Sequence, residues 1–101
     1  MASRLKLHEE LCEILGSRNV YFQPESVKMK YPCIRYSLSG IRQFKAGDKQ
    51  YRAVNEYDIV TMDLDPDGTI HAKILAKYPT ASYVTGYVAD SLNHNKIKLY
   101  Y

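Results

Sequence analysis

The sequence predicts a single α+β domain with a mainly antiparallel sheet, and three observations support this prediction. An amphipathic segment near the N-terminus has helical spacing, and the segments after it alternate or are β-branched, as strands are. A second helical segment follows the third predicted strand, and strand-like segments close the chain. With 101 residues, 46% of them hydrophobic, the chain is long enough for one modest core. We therefore expect one domain over residues 1–101, without repeats or linkers.

The first predicted element is a helix from about Arg4 to Leu15, with Ser3 as its N-cap and Gly16 as its C-terminal stop. Its apolar residues follow the i, i+4, i+7, i+8 spacing of one helical face: Leu7, Leu11, Ile14 and Leu15. The glutamates Glu9, Glu10 and Glu13 fall on other faces, and we expect them to be solvated.

Several segments have the patterns of strands. In CIRYSLSG, the residues Ile34, Tyr36 and Leu38 alternate with polar residues, which predicts a half-buried strand. The β-branched segment YDIVTMDL predicts a second strand, and NVYFQP a short one that ends at Pro24. Near the C-terminus, SYVTGYVA and KIKLYY predict two strands joined by DSLNHN. We expect KIKLYY to present an edge of the sheet.

Residues 41–55 predict a hairpin arm around the turn signal Ala46-Gly47-Asp48. Their apolar content is sparse, so we expect the arm to be mobile in the isolated chain and to become ordered on assembly. Its basic and aromatic residues are candidate partner contacts: Arg42, Phe44, Lys45, Lys49, Tyr51 and Arg52. This pattern fits a nucleic acid, a protein partner or simply a solvated hairpin.

The ten tyrosines are more than a core of this size easily takes, because each buried hydroxyl needs a hydrogen-bond partner. We expect several of them to be exposed: Tyr21, Tyr51, Tyr83, Tyr87, Tyr100 and Tyr101. Tyr87, Tyr100 and Tyr101 are further candidates for a subunit or partner interface.

The segment DLDPDG, residues 63–68, begins like the calcium loop of a helix–loop–helix site. Such a loop needs a bidentate glutamate at its twelfth position, where this chain has Ile74, and a helix before it, where this chain has a predicted strand. We therefore expect a corner between a strand and a helix, in which Asp65 or Asp67 caps the helix. That helix has an apolar face and ends at Pro79. The residues of this face are Ile70, Ile74 and Leu75.

The remaining patterns do not favour catalysis, a cofactor or a metal. Cys12 and Cys33 lack a Cys-x-x-Cys spacing, which favours buried thiols. His8 lies four residues before Cys12, but this spacing is common on helices, and the segment 93–95 has the composition of a turn. No apolar run is long enough to span a bilayer, and the N-terminal segment lacks the apolar stretch of a signal peptide. We expect a soluble, unsecreted protein that is not an enzyme and does not contact membranes.

Three stretches resemble a family of small virion proteins of tailed phages and prophages of Gram-positive bacteria. They are LHEELCEILGSRNVYFQPESVKMKYPCIRYSL, DLDPDG and YVADSLNHNKIKLYY, and they cover most of the chain. Within this class the chain resembles tail terminators, also called tail-completion proteins. The resemblance implies an α+β fold without catalytic residues. It also implies a ring, typically a hexamer, on the end of the tail tube of a long-tailed phage, which later joins the tube to the head.

The partners that this resemblance implies are other copies of the chain, the major tail protein and the head-closure or other neck proteins, with a passing contact with DNA. The implied location is the virion, assembled in the host cytoplasm. Three alternatives stay open at the level of sequence. The chain could be another neck protein, such as a head-closure or adaptor protein. The arm could make it a small nucleic-acid-binding module, which the net charge of +3 permits. The aspartates could make it a metal-dependent enzyme.

Overall fold

The computed structural model describes residues 4–23, 30–46, 50–65 and 67–101, and for 42–46 and 50–53 it describes the backbone alone. The described residues form two helices and five strands. In chain order these are α1 (Arg4–Leu15), β1 (Val20–Phe22), β2 (Cys33–Ala46), β3 (Gln50–Asp63), α2 (Ile70–Lys77), β4 (Ala81–Ala89) and β5 (Leu92–Tyr100). The predicted α+β class, the N-terminal helix and the second helix after the third strand are confirmed.

The strands form one sheet in the order β1-β2-β3-β5-β4. β1 runs parallel to β2, and the other neighbouring pairs are antiparallel. The prediction that KIKLYY presents a sheet edge is wrong, because β5 lies between β3 and β4. The edges are β1 and β4. Strand order depends on which strands pair across long chain separations, and the local pattern of KIKLYY does not encode it.

Both helices cover the same face of the sheet and form the core with it. Leu7 and Leu11 of α1 and Ile74 of α2 pack in one cluster with Tyr36 of β2 and Ile59 of β3. All five residues are fully buried. Burying each of the aliphatic side chains stabilises the fold by about 1.5–3 kcal/mol. The predicted apolar faces of both helices are therefore the faces that hold the domain together.

Each helix ends for a local reason that the sequence shows. After α1, Gly16 adopts the left-handed conformation, with φ of +81°, and its N–H donates to the Cys12 carbonyl at 2.9 Å. After α2, the Tyr78 N–H donates to the Ile74 carbonyl at 3.1 Å, and Pro79 prevents another turn. The predicted ends of both helices are confirmed, whereas Ser3 lies outside the described residues.

The prediction that Asp65 or Asp67 caps α2 is wrong. Thr69 occupies the N-cap position, and its side chain makes no capping hydrogen bond. The Oδ1 atom of Asp63 accepts the Asp65 N–H at 3.0 Å, and that of Asp65 accepts the Asp67 N–H at 2.9 Å. These aspartates stabilise the corner itself, because each side chain bonds the backbone two residues further on.

The connection between β4 and β5 is shorter than predicted. Only Asp90 and Ser91 separate the two strands, and their φ angles of 52° and 63° are those of a tight hairpin turn. Residues 93–95, which we expected in a turn, belong to β5. Their asparagines and histidine favoured a loop by composition, but the pairing with β3 and β4 outweighs that weak preference.

β2 and β3 extend beyond the rest of the sheet. β5 reaches only to the Glu56–Tyr100 pair, after which Asn55 exchanges backbone hydrogen bonds with Tyr101. Beyond Asn55, β2 and β3 pair with no other strand of the described residues, and they pair with each other from Ile41 opposite Asn55 to Ala46 opposite Gln50. This two-stranded segment, residues 41–55, is the arm. Its backbone pairing agrees with the predicted hairpin, its turn at 47–49 lies outside the described residues, and its mobility stays a prediction.

Candidate functional site

The candidate contact residues fall in separate parts of the molecule. Five lie on the arm, where the structure describes the backbone: Arg42, Phe44, Lys45, Tyr51 and Arg52. Lys49 lies outside the described residues. The others lie on the β4–β5 hairpin and just after it: Tyr87, Tyr100 and Tyr101. Tyr87 pairs with His94 near the turn between β4 and β5, at the opposite end of the sheet from the arm. The candidate residues therefore lie on two separate surfaces and do not form one site.

The first surface is the edge strand β4. Its seven central residues, 82–88, are all exposed. Its large apolar side chains keep about half or more of their surface exposed: Tyr83 48%, Val84 49%, Tyr87 49% and Val88 71%. The strand contains no charged residue and no proline, although charges, prolines and shortness are the usual protection of an exposed edge. Such an edge is a candidate interaction surface.

The exposed tyrosines of β4 are held in defined positions on both faces of the sheet. The Tyr87 ring stacks on His94, with centroids 4.7 Å apart and planes 11° apart. On the helix side, the Tyr83 hydroxyl donates to Oδ1 of Asn95 at 3.0 Å. This hydroxyl lies over Gly86, where a Cβ atom would collide with it. A contact made by these rings would therefore cost little side-chain ordering.

An open cleft of about 330 Å³ lies beside the turn end of β4. Its lining includes His71 of α2, Val88 of β4 and the amide side chains of Asn93 and Asn95. Small ligands bind in enclosed, mostly apolar cavities with few polar groups. This mixed and open lining fits the rim of a protein contact better. Sequence reasoning selected only Tyr87 here, although nine consecutive uncharged residues in a strand were an available signal.

Tyr101 is engaged within the fold, contrary to the expectation that it is exposed. Its hydroxyl donates to the Glu10 carboxylate at 2.8 Å, and the Tyr78 hydroxyl donates to the same carboxylate at 2.9 Å. Lys77 lies 3.6 Å from it. Burial alone would raise the pKa of Glu10, but both hydroxyls and the Lys77 charge outweigh burial and lower it. Burial and this carboxylate raise the pKa of Tyr101 to about 12.

Two further expectations are corrected by these contacts. Glu10 is half-buried and ties α1 to the C-terminal residue, whereas we expected a solvated glutamate. Tyr100 is also half-buried, with its hydroxyl 3.4 Å from Oε1 of Glu56. The signal for Glu10 is nonlocal, since its partners lie 68 and 91 residues away. Of the tyrosines predicted to be exposed, Tyr83 and Tyr87 are confirmed, whereas Tyr21 is half-buried.

A second polar cluster lies where α1 meets β2. The Arg4 guanidinium donates to the Tyr36 hydroxyl at 3.2 Å, and that hydroxyl lies 2.7 Å from Nδ1 of His8. Burial, together with the Arg4 charge, lowers the pKa of His8. A neutral imidazole whose Nδ1 atom accepts a hydrogen bond from the Tyr36 hydroxyl satisfies all three groups. This cluster stabilises the docking of α1 on the sheet.

The chemical groups that could support metal binding or nucleophilic catalysis are dispersed or buried. Within residues 4–23, 30–46, 50–65 and 67–101, no three histidine, cysteine or acidic side chains come together as a metal-binding group. Cys12 and Cys33 are free, buried thiols, and burial raises the pKa of Cys33 to about 11. A buried thiol with a raised pKa stays protonated and is a poor nucleophile. Neither described helix is long and apolar enough to cross a membrane.

The second surface is the arm, which is distinguished by its charge. Residues 41–55 contain four basic residues and one acidic residue, so their net charge of +3 equals that of the whole chain. Four aspartates lie at the other end of the sheet, in the corner after β3 and in the turn after β4: Asp63, Asp65, Asp67 and Asp90. The molecule extends 51 Å along its longest axis and 23 and 22 Å along the others. Its elongated shape thus carries a basic arm and an acidic end.

The chain matches no protein-family model, no curated protein and no solved structure at a significant level. Its function is therefore inferred from the sequence resemblance, the fold and the two surfaces.

Proposed function

We propose that this chain is a structural virion protein of a long-tailed phage or prophage, and that it forms a ring at the end of the tail tube. In this role it ends the tube and joins it to the head. The observation that carries the proposal is the pair of unlike surfaces, the apolar edge of β4 and the basic arm, at different places on one small domain. A contact between unlike surfaces of identical chains repeats head to tail and closes into a ring when the rotation permits.

The element order supports the same role by analogy. The resemblance to tail terminators implies a helix, antiparallel strands, a second helix and a final strand. The fold has this general order, with two strands instead of one after the second helix. Fold similarity does not carry function by itself. The element order supports the proposal because the same domain also has the two unlike surfaces that a ring subunit requires.

The proposed partners follow from the ring. Each copy contacts two neighbouring copies, one face of the ring contacts the major tail protein, and the other contacts head-closure or other neck proteins. A ring on a tube through which the genome passes also meets DNA transiently. The protein would then be found in the virion, after assembly in the host cytoplasm. The polar clusters of α1 are engaged inside the fold, which favours a structural role over a catalytic one.

The test uses tail tubes assembled from a major tail protein of the phage or prophage that encodes this chain. Negative-stain electron microscopy should show a ring on the tube ends, and tubes grown in its presence should stop at a narrow range of lengths. Val88→Lys, which places a charge on the exposed edge, should abolish both effects. Leu5→Lys is the matched control, because Leu5 is similarly exposed but lies on α1. Bare tube ends and unlimited lengths with the unaltered protein would contradict the proposal.

A second candidate is favoured by one observation, the concentration of the net charge on the arm. A nucleic-acid-binding module would bind duplex DNA with an affinity that falls steeply as salt rises, because each neutralised phosphate releases counterions. Filter binding at two salt concentrations measures this directly. Tight, salt-sensitive binding together with no effect on tail tubes would favour this candidate. Binding to the head side of the neck instead of to tubes would favour a head-closure or adaptor protein.

A further inference from the structure

The arm is an incomplete sheet. Its two strands pair with each other over residues 41–46 and 50–55, and β5 ends before it can supply a third strand. A two-stranded ribbon is marginally stable in water, and a third strand or other cover is what normally stabilises it. Apart from the bonds between Asn55 and Tyr101, no strand of the described residues pairs with either outer edge of the arm, so both edges can accept a further strand.

β4 lacks a neighbouring strand on its outer side. It has nine residues, it pairs with β5 on one side, and no other strand of the described chain pairs with its outer side. The opposite edge of the sheet, β1, is three residues long and is followed closely by Pro24, so it is poorly suited to accept another strand. β4 is long enough to accept a strand and contains no charge and no proline, and its one irregularity is a register shift between Tyr83 and Thr85.

Charge favours the arm of another copy as the occupant of β4. Two β4 edges would bring two uncharged strands together, so no opposite charges on the strands would favour that pairing. An arm laid along β4 instead brings its excess of three positive charges toward the end of the sheet where Asp63 and Asp90 lie. Opposite charges across a contact also favour the correct orientation and speed association.

We propose that the outer edge of β4 in one copy takes up the arm of the next copy as an added strand. This inference rests on the proposed ring and names its subunit contact. The arm gains the third strand that it lacks, and the exposed β4 edge is covered. Tyr83 and Tyr87 point to opposite faces of the sheet, since their partners on β5 are Ile97 and His94. They therefore hold the added strand from both sides.

Site-directed cross-linking tests this contact with the protein alone. One variant carries Gln43→Cys on the arm, and a second carries Thr85→Cys on β4. The natural cysteines are buried and give little background, which the unsubstituted chain measures. With a short bismaleimide linker at millimolar protein concentration, a mixture of the two variants should give covalent dimers that neither variant gives alone. A chain with both substitutions should give a ladder that ends at the size of the ring.

Ala76→Cys, on the exposed side of α2, replaces Thr85→Cys as the matched control and should give no product above background. Ile41→Cys with Ser82→Cys is a second pair, used so that poor folding of one variant does not decide the result. The inference is wrong if Thr85→Cys alone gives as much dimer as the mixture, which would indicate pairing of two β4 edges. It is also wrong if both pairs give no product, or no more than the α2 control.

The outcomes separate this inference from the proposed function. Cross-linking without any effect on tail tubes would keep the contact and reject the tail role. Capped tubes on which neither cysteine pair cross-links would keep the tail role and reject this contact.

Discussion

β4 and β5 are two nine-residue strands of one hairpin, and they differ in what covers them. β5 contains two lysines and a histidine, yet Ile97 and Leu99 are completely buried because β5 has strands on both sides and helices above it. β4 contains no charge, yet its central residues are all exposed. The more apolar strand is thus the more exposed one. Position in the sheet sets burial within one chain, and an apolar strand left exposed is a candidate interaction surface.

The largest effect that this comparison predicts is on stability. Ile97→Ala on β5 should lower the free energy of unfolding by about 2–5 kcal/mol, because it removes buried methyl and methylene groups and leaves a cavity. Val88→Ala on β4 should change it by less than about 0.5 kcal/mol, because the side chain is exposed in the isolated chain. Urea denaturation of both variants measures the difference. Equal losses would mean that β4 is already covered in the monomer.

A smaller effect is expected where the chain leaves β5. Tyr101→Phe should cost about 1–3 kcal/mol, because its hydroxyl donates to a charged carboxylate that is partly removed from water. Tyr87→Phe on the exposed strand is the matched control, and its effect on the free energy of unfolding should be near zero. Denaturation of the two variants under identical conditions makes the comparison. A loss at Tyr87 as large as that at Tyr101 would contradict this account.

The Glu10 carboxylate also predicts that the stability of the fold decreases at acidic pH. The pKa of Glu10 is lowered in the folded state, so its contribution is fully present above the unfolded value of about 4.3. This contribution is lost as the pH falls through the lower folded value. Glu10→Gln should therefore flatten the acid limb of the stability curve, measured by thermal unfolding at a series of pH values. An acid limb identical to that of the unsubstituted chain would show that Glu10 does not contribute.

The smallest effect concerns His8, on the face of the sheet that the helices cover. Burial and Arg4 lower the pKa of His8 in the folded state, so stability should decrease as the pH falls below about 6.5, the unfolded value. His8→Gln should reduce this slope between neutral and mildly acidic pH. A slope that is unchanged by His8→Gln would reject the neutral imidazole beside Tyr36.

Much of this fold is predictable because its signals are local. The bounds of α1 follow from the spacing of Leu7 and Leu11 and from Gly16, and the end of α2 follows from Pro79. The place of β5 inside the sheet was not predictable from KIKLYY, since it depends on pairing with β3 more than 30 residues earlier. The cap of α2 was missed because an aspartate can bond either a turn or a helix start, and composition does not distinguish these uses.

The candidate surfaces were predicted only in part for the same reason. The basic arm is a contiguous segment and is visible in the sequence. The exposed edge needs the strand order, because SYVTGYVA has the composition of a buried strand as well as that of a covered interface. Tyr87 was predicted as a contact residue, whereas Val84 and Val88 became candidates only through their exposure on β4.

The central claim is that the arm of one copy pairs with the outer edge of β4 in the next copy. Amide hydrogen exchange tests this claim most directly. In the dilute isolated chain, amides of residues 41–55 and the outward amides of β4 should exchange quickly, while those of β3 and β5 in the sheet centre are protected. On assembly, both regions should become protected together. Val88→Lys should prevent the protection of both regions on assembly. Leu5→Lys should leave both regions protected on assembly. Protection of the arm throughout in the monomer, or protection of only one region on assembly, would contradict the account.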